Sequence, residues 1–537
     1  MRSFRAATIF IVLVLLATSL RFPHLALRPL HCDEGTNADQ LGMLLERNHY
    51  TYISEEFHGP TLHYLTLISF KLQGVHRYVD VDEKTMRLTP VIFGVLLVAA
   101  HALLIPYIGF PAAAASALLV TVSPAMVYYS RYYIHEMLLV FFAYGLLIAG
   151  MLYMRKPRAL WAIFAGIFLG LMYATKETWI IVFVSMLLAF VILAAIEKGK
   201  RPLGWLSSVV KVEHLLAALL AAVAVSALFL SSFLQNPQGV VDSVTAYRTY
   251  FSRGIGIDTF HVHPWYYYMQ LLIYFHAPGK PIWTEGLILI LAFLGAFACF
   301  TKKGIPGVDL TVLRFFALYT LLMTALYSLI PYKTPWCLIG FLHLMIILGG
   351  TGLVWLMQRL RRPLLRAAVG ILTIVAVSHL GWEAWAENFK YETDQCNPYV
   401  YAHTSKDIFR IVDRLRDIAK AHPDGFAMPI QVVSSSNLWP LPYYLRRYSN
   451  ISWWTGVSDT APNAPVILAT PDMEAALARK LYELPPPGER EMYMNMFRER
   501  VELRPAVEMV GYVAKSLWDN YERIEKSASG TSGGGIP

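Results

Sequence analysis

The sequence predicts a mainly α, polytopic helical membrane protein with about eleven transmembrane helices and a small C-terminal α/β domain outside the membrane. Three observations predict it. Of 537 residues 56% are hydrophobic and only 15% charged, against about 25% charged in soluble domains. Uncharged stretches long enough to cross a bilayer recur along the first 385 residues. The charge is also split: residues 386–537 carry 17 Lys+Arg against 19 Asp+Glu, so the net +9 of the chain comes from the N-terminal region. This composition excludes an ordinary cytosolic enzyme and a disordered chain. A basic excess in short loops encodes orientation and gives no support to nucleic-acid binding.

The spans are expected near 6–22, 87–108, 111–129, 134–154, 159–175, 178–196, 214–234, 283–300, 310–331, 335–357 and 364–385. From Leu88 to Ser130 there is no Asp, Glu, Lys or Arg. As one helix these residues would run roughly 64 Å, twice what a bilayer core needs, so the chain must turn, and Gly109-Phe110-Pro111 is the place. The first span reads as a membrane helix or as a cleaved signal peptide, Ala6 to Leu20 being a short apolar run after Arg2 and Arg5.

Orientation follows from the basic clusters. Arg2 and Arg5, Arg155 to Arg158, Lys198 to Lys211, Lys302-Lys303, and Arg359 to Arg366 all fall on one side if eleven spans alternate. That places the N-terminus in the cytoplasm of an inner-membrane protein and the C-terminal domain in the extracytoplasmic or periplasmic space. The domain organisation is then a transmembrane domain over residues 1–385 with outer loops 23–86 and 235–282, an outer domain 386–525 and a flexible tail 526–537. In the outer loops, Pro60 to Gln73 and the segment opening at His263-Pro264-Trp265-Tyr266 read as helices along the membrane surface. In the outer domain Ser405 to His422 is an amphipathic helix, Gln431 to Val433 and Pro465 to Leu468 are short buried strands, and Met473 to Tyr482 is a helix. The domain has no phosphate-binding glycine motif, and no internal repeat is found. Cys32, Cys299, Cys337 and Cys396 form no CxxC pair; Cys32 and Cys396 fall on the same side, where a disulfide between them is chemically open.

Ionisable groups near membrane depth are functional candidates, and five places carry them. Asp33-Glu34 is either a general base pair or a solvated cap of the helix starting near Thr36. Glu136 follows His135 and either holds a metal or an acceptor, or pairs with Arg131. Lys176-Glu177 between two apolar spans reads as a lipid-phosphate site or as snorkelling side chains. Tyr332-Lys333 lies between Pro331 and Pro335, with a positive charge on the side where the usual bias disfavours one. His58, His261, His263 and His276 match no metal spacing and read as neighbours of the interfacial aromatic belt. Two carboxylate positions and two lysines on one side of the membrane suit transfer from an anionic lipid donor. A base would take the acceptor proton and cations would stabilise the leaving phosphate.

Five segments in order, Cys32-Asp33-Glu34-Gly35, Phe57-His58-Gly59-Pro60, Tyr129-Ser130-Arg131-Tyr132, Ala174-Thr175-Lys176-Glu177 and Pro331-Tyr332-Lys333-Thr334-Pro335-Trp336, resemble the GT-C glycosyltransferases. That superfamily includes the protein O-mannosyltransferases and the aminoarabinose transferases of lipid A, and the segments are nearest to the prokaryotic "flippase activity-associated" proteins. The resemblance implies a polyprenyl-phosphate sugar donor and inverting transfer to an acceptor hydroxyl at the outer leaflet, among membrane lipids. It implies Asp33 as general base, Glu34 as a positioner of the acceptor, and Glu136 as the acidic residue of the second loop. Lys176 and Lys333, with Arg131 and Tyr332, would hold the donor phosphate, and His58 and Glu177 would touch donor or acceptor. No cofactor is otherwise implied; Glu136 is the candidate ligand if a divalent metal takes part. A lipid-linked sugar flippase and a non-catalytic scaffold of surface-glycan assembly are the other two readings of the same layout.

Overall fold

The computed structural model describes residues 2–53, 58–198, 210–254, 261–301 and 304–530. Phe57, Lys200, Arg201, Lys302, Lys303 and the end of the tail lie outside them. The chain divides into two compact units: Met1–Leu27, Gln40–Arg77 and Val81–Tyr401 form the first, and Arg28–Asp39, Tyr78–Asp80 and Ala402–Pro537 the second.

The first unit is a helical bundle whose members are long and apolar, as the composition requires. Among the described residues eight stretches have the length and apolarity to cross a membrane, including Phe4–Arg21, Glu136–Arg155, Trp179–Glu197 and Pro363–Phe389. Ala159–Tyr173 and Gly286–Ala298 are shorter apolar helices. The 40-residue stretch Glu83–Val122 breaks where expected. Gly109 sits at φ 76° and ψ 158° just before Pro111, a backbone conformation that a side chain would resist. With that break the stretch supplies two spans. The second of them ends at Val122, because Ser123 leaves helical geometry and caps a separate short helix Pro124–Ser130.

Helix contacts in the bundle use small residues, as expected where lipid removes the hydrophobic drive between helices. Gly166 and Gly170, four apart, lie against the backbone of Ala218 and Ala222 on the helix Val212–Leu230. Gly295 and Gly352 bring Gly286–Ala298 and Ile339–Arg359 together in the same way. The two loop segments read as helical form helices, Thr61–Gln73 and Tyr267–Ile273. The second leads into a two-stranded hairpin of β1 (Phe275–His276) and β2 (Ile282–Trp283).

The second unit carries a mixed sheet in the order β4-β3-β5-β8-β6, with β7 also paired to β8. Strands β3 (Ile430–Val433), β4 (Ile451–Trp454) and β5 (Val466–Ala469) are parallel. Strands β6 (Tyr493–Asn495), β7 (Val501–Arg504) and β8 (Val507–Ala514) join antiparallel. All four residues of β3 and of β5 are buried, the pattern of parallel strands covered on both faces. The helix Asp407–Ala421 buries its stripe of Ile408, Ile411, Leu415 and Ile418 completely. All four cysteines are free thiols, which removes the Cys32–Cys396 disulfide from consideration. Cys396 is instead packed with Trp283 and Ala386.

Candidate active site

The site in the first unit is built where the loop after Tyr173 meets the loop before Thr61. The two run side by side: Gly59 N donates to Thr175 O at 3.1 Å, Thr61 N to Ala174 O at 3.3 Å, and the Thr61 and Thr175 hydroxyls are 2.7 Å apart. Gly59 permits the approach, since a Cβ there would collide with the Ala174 carbonyl. His135 Nε2 closes the third side on Gly59 O at 2.9 Å. The stretches that carry His58, His135 and Lys176 thus meet at one point.

The ionisable groups there are paired. Lys176 donates to the Glu136 carboxylate, and both are buried. Burial opposes the Lys176 charge, but the Glu136 carboxylate outweighs it and holds the amine above its ordinary range. His58 Nδ1 lies 2.7 Å from Glu177 Oε2, and Tyr52 donates to the other oxygen. Burial would raise the Glu177 carboxyl, yet His58 and Tyr52 bring it below its ordinary value. The ring of His135 packs against those of His58 and His63, with centroids at 5.3 and 5.6 Å. Glu136, Thr178, Tyr327, Trp336, Cys337 and His343 line a cavity beside this cluster, so the loop before the helix Ile339–Arg359 reaches it as well.

That loop fixes Lys333 tightly. Its backbone N–H donates to His261 O at 2.9 Å, and its ammonium donates to His263 O at 3.1 Å and to Ile330 O. Burial lowers its pKa. Tyr332 pairs through its backbone with Val262 and rests its ring on His261, centroid to centroid 4.7 Å. His261 and His263 both reach the Tyr401 hydroxyl, at 2.9 and 3.3 Å.

Arg131 is used differently from either expectation. Its guanidinium donates to the carbonyls of Arg21, Pro23 and His24 at 2.7, 2.8 and 3.3 Å and lies 4.6 Å from the Phe389 ring centroid. It caps the end of the first helix, where unsatisfied carbonyls need donors, and the Glu136 carboxylate takes Lys176 as its partner. A metal at Glu136 does not fit the residues present. The lysine ammonium takes one carboxylate oxygen, Oε1, and among the described residues no three His, Cys, Asp or Glu side chains come together to hold an ion.

Asp33 and Glu34 belong to the second unit and begin the helix Cys32–Arg47. They are not equivalent. Glu34 is fully buried, with Oε2 accepting from His31 N at 3.0 Å and facing the Arg28 guanidinium at 3.4 Å. This is the reach-back of a first-turn carboxylate that satisfies an orphan N–H. The Asp33 side chain is 45% exposed and stands 3.8 Å from His31 Nδ1. Glu34 makes the capping contact, and Asp33 has a partly exposed carboxylate.

Residues 62–235 match the family described as dolichyl-phosphate-mannose-protein mannosyltransferase. Among solved structures, ArnT from Cupriavidus metallidurans in the apo state superposes with a TM-score of 0.61 at 14% identity, covering 95% of this chain and 98% of that one. The chain shares the fold of ArnT. The same ArnT bound to undecaprenyl phosphate gives 0.58 at 14% identity, over 93% and 97%. The archaeal oligosaccharyltransferase AglB from Archaeoglobus fulgidus, in complex with an inhibitory peptide and a dolichol-phosphate, gives 0.54 at 13%, over 88% and 70%. No curated protein matches. The solved structures share this chain's fold, and the family match covers about a third of its length. Sequence reasoning passed over Tyr52 and His63. Tyr52 lies in a polar loop with no pattern, and His63 was hidden by its place in an apolar surface helix.

Proposed function

We propose that this chain is a membrane glycosyltransferase that takes a sugar from a polyprenyl-phosphate-linked donor to an acceptor hydroxyl at the outer leaflet, with inversion. The observation that carries the reading is the buried Lys176–Glu136 pair beside a largely apolar cavity, within the segment that matches the mannosyltransferase family. A lysine kept charged at the edge of an apolar cavity is what a lipid phosphate needs. ArnT, whose fold this chain shares, has been solved with undecaprenyl phosphate bound.

In the proposed step the Asp33 carboxylate takes the acceptor O–H proton. The acceptor oxygen bonds to the anomeric carbon as the bond from that carbon to the phosphate oxygen breaks. The electron pair leaves with polyprenyl phosphate, whose growing charge Lys176 and Lys333 stabilise. Donor binding exchanges Glu136 for the phosphate as the partner of Lys176, so Glu136 keeps the ammonium charged and placed while the site is empty. Glu177 and His58 tie the loop that carries Lys176 to the loop before Thr61. Glu34 supports the turn that presents Asp33. In this reading the chain sits in the inner membrane, with its N-terminus in the cytoplasm and its C-terminal domain, residues 386–525, outside.

Equilibrium binding of undecaprenyl phosphate to the detergent-purified protein tests the donor half. Tight binding to wild type and a loss of about tenfold or more in Lys176→Met is expected. Equal binding by both proteins would remove Lys176 from that role.

A further inference from the structure

The strand order of the second unit implies a crevice that the proposed step does not use. Its parallel strands lie in the order β4-β3-β5. The chain leaves β3 toward β4 on one side and leaves β5 toward β8 and β6 on the other. The two departing loops therefore diverge at the carboxyl ends of β3 and β5, the place where open α/β sheets bind ligands.

The residues there are those of a polyol site. The loop after β3 is Ser434-Ser435-Ser436-Asn437, and the loop after β5 is Thr470-Pro471-Asp472. Ser435 Oγ donates to Asp472 Oδ2 across the crevice at 2.9 Å. Ser435, Ser436, Asn437 and Asp472 are all exposed. Between Ser434 and Pro440, and between Thr470 and Glu474, there is no lysine or arginine, so these loops suit hydroxyls better than phosphate. Beside them the edge strand β4 ends in Trp453 and Trp454, 44% and 37% exposed. Trp454 O accepts from Ser434 N at 2.9 Å, which fixes that end of β4 against the loop. Two tryptophans left open at a strand end are costly unless a flat apolar face covers them, and the C–H face of a pyranose is such a face.

The same loop leads to Asp33. At its far end Trp439 and Pro440 press on Gly35, where a Cβ would come within 2.6 Å of Pro440 Cβ. Arg504 ties Asn437 O and Trp439 O, and Tyr444 accepts from Leu30 N at 2.9 Å. One short segment, Ser434 to Pro440, thus lines the crevice and backs the helix turn that carries Asp33.

We propose that the crevice between the carboxyl ends of β3 and β5 is a saccharide subsite, with Trp454 as stacking platform and Ser435, Asn437 and Asp472 as hydrogen-bonding groups. Its occupant is a neutral hexose unit of the acceptor glycan. Sugar binding is argued from these residues alone; the acceptor role rests on the glycosyltransferase reading.

Saturation-transfer NMR on the full chain in nanodiscs, with mannohexaose and maltohexaose as probes, tests it. Saturation of at least one oligosaccharide is expected in wild type, cut at least fivefold in Trp454→Ala and in Asp472→Asn. Asp472→Asn is an exposed, near-isosteric change, so it reports even if Trp454→Ala unfolds. Undecaprenyl phosphate binding should stay at the wild-type level in Asp472→Asn. No transfer to either sugar, or transfer unchanged in Asp472→Asn, would overturn the subsite. Sugar binding that persists in a protein unable to bind undecaprenyl phosphate would leave the subsite standing and remove the glycosyltransferase reading.

Discussion

Lys176 donates a hydrogen bond to Glu136, and both side chains are buried, at 7% and 6% exposure. A buried pair of this kind is weak evidence for stability, because desolvation offsets most of the attraction, but breaking it by removing one partner is costly. Lys176→Met should lower the thermal midpoint and abolish transfer. Glu136→Gln in addition should restore most of the midpoint, since no uncompensated charge is left, while transfer stays absent. Thermal melts of the two variants and wild type, beside their turnover, check this. A double variant that recovers activity would mean that the pair is structural only.

Asp33 and Glu34 should separate cleanly. Asp33 is partly exposed and Glu34 fully buried against Arg28. Asp33→Asn is expected to leave the melting midpoint near wild type and to cut kcat by about 10²–10⁴, the usual contribution of a placed base. Glu34→Gln weakens the cap and removes one countercharge that faces Arg28. It should lower the midpoint while retaining a measurable fraction of turnover. Midpoints and kcat measured side by side test the assignment, and the reverse pattern would exchange the two roles.

The Glu177 carboxyl lies below its ordinary value of 4.5 because His58 and Tyr52 outweigh its burial. A lowered carboxylate pKa contributes stability above the unfolded value, and that contribution is lost as pH falls through the folded one. Melting midpoints should therefore fall on acidification below about pH 4.5. Glu177→Gln should flatten that part of the curve and lower the plateau above it. An unchanged acid limb in the variant would show that other carboxylates set it.

Gly59 lies too close to Ala174 to accept a side chain. Gly59→Ala forces apart the two strands of loop that bring His58 to Glu177 and His135 to the same point. A loss of about 1–3 kcal/mol is expected, with turnover reduced further than stability alone explains. Chemical denaturation and turnover of Gly59→Ala check this, and a variant with wild-type turnover would show that the loop contact is incidental.

The membrane domain was legible in the sequence because lipid imposes a simple rule on composition. Uninterrupted apolar length marks a span, and Gly109-Phe110-Pro111 marked the break that length demanded. The second unit was less legible. β3 and β5 were visible as short buried runs, whereas β4 exposes its side chains as an edge strand and reads as loop. β7 and β8 carried an alternating pattern, in Val501 to Arg504 and Val507 to Ala514, that went unused. In the candidate site, residue types in short segments pointed to Lys176, Glu136 and Lys333. What spacing could not show was partnership. Arg131 looked like a phosphate ligand or a partner of Glu136, and it instead satisfies three carbonyls of the first helix end. Capping of that kind depends on where a distant chain segment ends, and no local pattern encodes it.

The most direct test of glycosyl transfer is a single-turnover measurement with a radiolabelled polyprenyl-phosphate sugar and the reconstituted chain. Wild type is expected to release polyprenyl phosphate at a rate that rises with acceptor, and Asp33→Asn to release it at least a hundredfold more slowly with donor still bound. Release by Asp33→Asn at the wild-type rate would contradict the proposed chemistry, as would a donor that crosses the bilayer intact with no sugar transferred.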